Sequence, residues 1–348
     1  MKANKKVIGE LEKCYSLAML HYQNKDHFLV AAEKVNKCYL YDLAGSQEET
    51  VWEEPGGVMT MVQVPGTDGQ FLATRKFYSP NDSKEASIVV VTPKGKNDWE
   101  VRTLTDLPFV HRFDIVTSGG VNYLIACALK SDHEYKEDWR FPGKVFAAVL
   151  PDDLSGFNDD HQLELTVLKE DMLKNHGYYR HQDAADRTSS IISCDSGVYQ
   201  FIPPEQAGGI WKIEQLTADA ASDALLLDLN GDGREELCTI APFHGDTVKI
   251  YEKKSGGFEL AYTYPEKLEF LHAIFGGEVL GKPVWILGHR KGERYLLAFT
   301  YENGSYGAQM LDQGCGAANV LHYTYEGKDV LIATNREINE IARYELTE

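Results

Sequence analysis

No stretch of this 348-residue sequence approaches the ~18 uninterrupted apolar residues of a membrane-spanning helix. A helical membrane protein is therefore excluded. The amino-terminal MKANKKVIGELEKC is basic but lacks the apolar core of a signal peptide. No two cysteines are spaced as CxxC. The six (Cys14, Cys38, Cys127, Cys194, Cys238, Cys315) are scattered, several of them inside apolar runs. They read as reduced, buried thiols, and the expected location is cytoplasmic. Basic residues are in deficit, 35 against 53 acidic, for a formal net charge of −18. That excludes generic binding to a phosphate backbone, so no nucleic-acid partner is expected, and no membrane partner either. GxSxG, HExxH, Walker and Rossmann glycine motifs are all missing. Helical periodicity is missing over any long window as well.

What is present is globular: 43% hydrophobic and 25% charged residues exclude a disordered chain. Short runs of Val, Ile, Tyr, Phe and Thr alternate with Gly, Asp and Asn turns, which predicts strands. One run type recurs. It is apolar, ends in polar residues, and begins at Phe28, Phe71, Leu124, Ile191, Leu237, Trp285 and Val330. The spacing averages about 50 residues, the length of a four-stranded propeller blade. Each run is preceded by an inner strand and followed by a third and a fourth, outer one. The outer strands are expected at TVWEEP, WEVRTL, LELTVL, WKIEQL, FELAYTY and YGAQML. The seventh unit lacks an outer strand, and VIGELEK from the amino terminus is expected to supply it. The fold predicted is all-β, a single seven-bladed β-propeller domain over 1–348, closed by that strand.

In such a fold, the loop between the second and third strands of a blade shares a face with the loop leading into its first strand. Read from seven blades, these loops should form one ring. They hold five of the eleven histidines: His111, His176, His244, His272 and His289. Arg75, Arg112, Arg290 and Arg336 join them, with Tyr15, Glu33, Asp195 and Asp246. The chain is acidic, yet this ring is rich in basic and imidazole groups. Convergent neutral imidazoles suit a divalent transition metal, Zn or Mn, in the central channel. Convergent guanidinium groups suit an anionic or highly oxygenated ligand. A histidine at a strand end also serves as a hydrogen-bonded structural residue, and that reading stays open.

A second metal candidate is DLNGDGREE at 228–236, which has the spacing of a DxDxDG calcium loop. Asp228, Asn230, Asp232 and Glu236 would supply oxygens, and Gly233 permits the sharp turn. The twelve-residue EF-hand is not satisfied, because Thr239 stands where a Glu is required. The loop should face away from the histidine ring. The alternative is a metal-free turn. A long segment, SDHEYKEDWRFPG at 131–143, interrupts the third unit. Its size and its aromatic and charged content suit a lid, whose removal should lower turnover more than stability.

DLNGDGREEL is similar to the FG-GAP or VCBS propeller repeat. NHGYY at 175–179, CDSGVYQFIPP at 194–204, DLNGDGREELCTIAPFHGDTVKIYE at 228–252 and LHAIFGG at 271–277 resemble the propeller domain of aldos-2-ulose dehydratase. That resemblance implies a seven-bladed ring with metal ions and elimination of water from ketosugars. It implies His176, His244 and His272 as the metal set, and an acidic role for Asp195. The cupin domains of that family are not in this chain. The expected function is a metal-dependent lyase or isomerase on a ketosugar or related oxidised carbohydrate. His111 or His289 would be the base, Arg75, Arg290 or Arg336 the oxyanion partner, and Tyr15 or Tyr178 the proton donor. A glycosidase would want two placed carboxylates, and the ring offers more histidine than acid. The alternative is a non-catalytic ligand- or protein-binding propeller. The partner is a small carbohydrate-like molecule; a homodimer is left open.

Overall fold

The computed structural model describes residues 1–183 and 185–348. Its 28 strands form seven four-stranded antiparallel sheets arranged in a ring, a seven-bladed β-propeller. The β1 strand (Lys2–Glu10) belongs to the last blade. Blade one is β2 (Cys14–Tyr22), β3 (Lys25–Ala32), β4 (Cys38–Asp42) and β5 (Gln47–Trp52). Blade two is β6 (Met61–Gln63), β7 (Phe71–Arg75), β8 (Ser87–Gly95) and β9 (Asp98–Asp106). Blade three is β10 (Val110–Ser118), β11 (Val121–Lys130), β12 (Pro142–Val149) and β13 (Thr166–Met172). Blade four is β14 (Gly177–Gln182), β15 (Thr188–Cys194), β16 (Gly197–Ile202) and β17 (Lys212–Thr217). Blade five is β18 (Asp223–Leu227), β19 (Glu236–Ala241), β20 (Thr247–Lys254) and β21 (Gly257–Thr263). Blade six is β22 (Leu271–Val279), β23 (Lys282–His289), β24 (Leu296–Glu302) and β25 (Ser305–Asp312). Blade seven is β26 (Asn319–Tyr325), β27 (Lys328–Asn335) and β28 (Glu340–Thr347), with β1 outermost.

The second strand of each blade lies between neighbouring blades and is buried on both faces. Every residue of β19 is buried, as are eight consecutive residues of β11. This explains the continuous apolar runs that mark the repeat. The outer strands β13, β17 and β21 are mostly exposed and correspondingly polar. All six cysteines are free and buried.

Strand β1 closes the ring by pairing antiparallel with β28, from Lys2 opposite Thr347 to Glu10 opposite Glu340. It begins five residues before the expected VIGELEK, because an outer edge strand tolerates the charged KANKK stretch. The outer strand of blade three starts at Thr166, not at Leu163 as the pattern suggests. The Leu163 N–H is taken by the Leu104 carbonyl of β9 at 2.8 Å. The preceding segment docks on blade two, where Arg102 donates to the Phe157 carbonyl at 3.0 Å. Tertiary contacts thus override the local strand pattern.

Candidate metal centre

The residues leading into the first strands gather around the propeller axis. Three of them owe their aim to bulges. The ladders of β2, β10 and β22 skip a residue at Tyr15, His111 and His272. A bulge leaves one residue unpaired and turns its side chain out of the sheet alternation. His176 precedes β14, and its neighbour Gly177 lies so near blade five that a Cβ would stand 2.4 Å from the Ser222 carbonyl. His244 comes from the β19–β20 turn in left-handed backbone, φ 46°, with its N–H on Ser222 Oγ at 3.2 Å. A non-glycine residue in that conformation costs on the order of 1–3 kcal/mol.

The imidazoles are held from behind. His176 Nδ1 donates to Asp223 Oδ2 at 3.1 Å and also lies 3.2 Å from the Ser222 carbonyl. His272 Nδ1 donates to the Ala318 carbonyl at 2.7 Å, and His111 Nδ1 to the His176 carbonyl at 3.1 Å. Because carbonyl and carboxylate oxygens only accept, these bonds set the tautomers and leave each Nε2 as an acceptor. His176 Nε2 and His244 Nε2 are 3.2 Å apart. His272 Nε2 accepts from the Tyr15 hydroxyl at 2.9 Å. The ligand atoms of His176, His244 and His272 all lie within 4.8 Å of one another, the one such group of three among the described residues. Two imidazole nitrogens on one tetrahedral Zn²⁺, each about 2.0–2.1 Å from it, stand about 3.3–3.4 Å apart. The His176–His244 separation fits that value; His272 would have to part from Tyr15 to join.

Burial pushes His111, His244 and His272 well below the usual imidazole range, and neighbouring imidazoles and guanidinium groups push the same way. They are neutral at neutral pH, the form that ligates metals. Burial pushes Tyr15 up to about 12, so its hydroxyl keeps its proton. His111 lies against His176 with ring centroids 4.4 Å apart. His244 is sandwiched between Phe243 at 4.0 Å and Phe270 at 4.3 Å. Trp139, from the 131–143 segment, packs edge-on against Phe243 at 5.2 Å, and the buried Lys130 ammonium lies 4.1 Å from its ring centre. The long segment therefore reaches the wall of the centre.

Of the residues singled out in the sequence, His111, His176, His244, His272 and Tyr15 come together. Arg290 stands one layer out, 4.8 Å over the Phe270 ring and paired with Glu337 at 2.8 Å. Arg336 binds Glu33 and Glu337 in the same chain of charges. Asp195 pairs with Lys174 at 2.9 Å. Three stand apart. Arg75 turns outward to Ser87 Oγ and Thr103 Oγ1. Tyr178 donates to Asp114 Oδ2 at 2.8 Å between blades three and four. His289 packs on Tyr295, with Nδ1 on the Glu269 carbonyl at 3.3 Å. Phe243 and Phe270 escaped the sequence reading, although each precedes a ring histidine by one or two positions.

The 228–236 loop joins β18 to β19, the end of blade five opposite the β19–β20 turn that holds His244. Its oxygens are used within the loop. Asp228 accepts from the Asp232 and Gly233 N–H groups, and Glu236 from the Leu229 and Asn230 N–H groups. Asn230 Oδ1 also accepts from the Asp232 N–H, and Asp232 is paired with Arg234 at 2.7 Å. In this arrangement the four side chains do not converge on one point. Burial, with Asp228 and Asp232 nearby, raises Glu236 to about 7.

No family model and no curated protein matches the chain. Solved structures do. The β-propeller domain of Cps50 (Swd1) from Myceliophteria thermophila is 9% identical, with a TM-score of 0.61 over 99% of this chain and 100% of that one. Streptogramin B lyase is 13% identical, with a TM-score of 0.58 over 100% of this chain and 99% of that one. At such identities the likeness establishes the fold alone. The comparisons supply nothing for the narrower likeness to aldos-2-ulose dehydratase or to FG-GAP repeats.

Proposed function

We propose that the chain is a metal-dependent carbon–oxygen lyase or isomerase acting on a ketosugar or related oxidised carbohydrate. The observation that carries this is the convergence of His176, His244 and His272 beside a protonated tyrosine and a fourth imidazole. His176, His244 and His272 would hold a divalent transition ion, which would supply Lewis-acid polarisation of a carbonyl. The chain's own residues supply the proton transfers. His111 Nε2, whose ring is oriented by the His176 carbonyl, takes the α-proton. The Tyr15 hydroxyl gives its proton to the departing oxygen. The C–H electrons form the new C=C bond, the C–O bond breaks, and water leaves. If the proton instead returns to the adjacent carbon, the outcome is isomerisation. Trp139 and Phe243 would keep bulk water from the site. One structural neighbour is itself named a lyase, in keeping with the reading. For the 228–236 loop we propose calcium, bound only once Arg234 releases Asp232.

The test is elemental analysis by plasma mass spectrometry of the wild type and a His176→Ala/His244→Ala variant, both shown to be folded by circular dichroism. Stoichiometric Zn or Mn, lost in the variant, is the expected result. Calcium alone, unchanged in the variant, would turn the reading to a non-catalytic ligand-binding propeller.

A further inference from the structure

Arg112 sits beside the histidine centre with no acid to balance it. It belongs to the first strand of blade three, next to the bulged His111. Its Nη1 donates to the Met59 carbonyl of blade two at 2.7 Å, and its Nη2 lies 3.5 Å from Asn319 Oδ1 of blade seven. Its guanidinium carbon is 5.8 Å from the Tyr15 ring centre in blade one. The side chain therefore reaches across the axis, from blade three to groups of blades one, two and seven. Among the described residues it makes no ion pair, whereas Arg290 and Arg336 are both neutralised by Glu337, and Arg336 by Glu33 as well. Lys291, 5.1 Å over the Phe270 ring, is also without a carboxylate partner. The one acid touching the histidines, Asp223, faces away from the open nitrogens and is held by His176 Nδ1.

A half-buried guanidinium without a counter-charge is a costly arrangement. It is all the more notable in a chain with 53 acidic residues to spare. A neutral sugar gives it no reason to persist. We infer that the molecule taken at the histidine centre carries a carboxylate, as a sugar acid or uronate does, and that Arg112 is the group that recognises it. The planar fork of N–H donors matches a carboxylate in geometry and charge. A phosphate dianion fits less well, because Arg112 is the one unpaired guanidinium beside the histidines among the described residues and matches a single negative charge. The inference rests on the reading that substrate binds at the histidine centre, and it narrows that substrate to an anion.

The test is titration calorimetry of the full chain with D-galacturonate, D-galactose and D-galactose 6-phosphate, with metal content measured on the same samples. Galacturonate is expected to bind at least tenfold more tightly than the other two. Arg112→Met should erase most of that preference, and Lys291→Gln should reduce it two- to threefold, since Lys291 is exposed. Equal affinity for acid and neutral sugar, a phosphate preference, or no binding of any probe would overturn the inference. So would a galacturonate preference left intact in Arg112→Met. Should Arg112→Met not fold, the wild-type ratio and Lys291→Gln still decide. Failure of the metal reading looks different: no transition metal in the wild type, with the acid preference retained.

Discussion

The histidine centre and the 228–236 loop look alike in sequence, each a set of ligand-type side chains at suggestive spacing. They differ in where their hydrogen bonds go. In the centre, Nδ1 of His111, His176 and His272 is occupied from behind, and the Nε2 atoms of His176 and His272 meet His244 and the Tyr15 hydroxyl. In the loop, the oxygens themselves are consumed by the loop's own N–H groups and by Arg234. In the first arrangement a cation would displace only the Tyr15 hydroxyl from His272; in the second it would compete with several N–H groups and with Arg234. Spacing alone does not separate a preorganised site from a self-satisfied turn. The difference is made by the second layer of partners.

The comparison can be broken most directly at Asp223. If the carboxylate orients His176 as a ligand, Asp223→Asn should weaken transition-metal affinity about 10–100-fold while the fold persists. Competition with a chelator measures it; unchanged affinity would mean that His176 is held only for packing. A smaller effect is expected in the loop. Arg234→Ala removes the guanidinium from Asp232 and should raise calcium affinity a few-fold at most, since the pair is exposed, without altering transition-metal content. A calcium titration followed by thermal shift would detect it, and no change in affinity would reject the loop as a calcium site.

The smallest effect concerns the rim. Burial works against the Glu337 carboxylate, but Arg290 and Arg336 outweigh it and hold its pKa below the usual range. A depressed carboxyl contributes stability above its unfolded pKa and loses it as pH falls through the folded value. The wild type should therefore lose more thermal stability than Glu337→Gln as pH drops from 6 towards 3. The difference should be on the order of 1–2 °C, since the pair is partly exposed. Superimposable pH profiles would remove Glu337 from the account.

Much of the fold was legible because the second strands are sealed between blades. Their apolar runs, such as LIACALK beginning at Leu124, cannot be mistaken for solvent-facing strands. The outer strands were harder to delimit. LELTVL reads as one strand, but its first residue, Leu163, bonds to Leu104 in the neighbouring blade. Among site residues, a rule placing loops on one face was enough to collect His111, His176, His244 and His272. The same rule included Arg75 and His289, and Tyr178 is among the expected proton donors, yet the side chains of all three point elsewhere. A one-residue change of register or a bulge reverses a side chain, and no pattern in the sequence announces it.

The sequence by itself determined the architecture of this protein. A blade-length repeat of strands buried on both faces has one economical solution, a closed ring, and charged amino-terminal residues suit its last edge. It also determined which residue types meet at the ring's centre, since periodicity fixes the end of the blade from which each loop projects. Only the tertiary structure decided which of those side chains face one another. Bulges at Tyr15, His111 and His272, the left-handed turn at His244 and the reach of Arg112 across the axis are properties of the assembled ring. The bonds that these side chains then make, Tyr15 to His272, His111 to His176, His272 to Ala318 and Arg112 to Met59 and Asn319, join different blades far apart along the chain, and such contacts have no local signature.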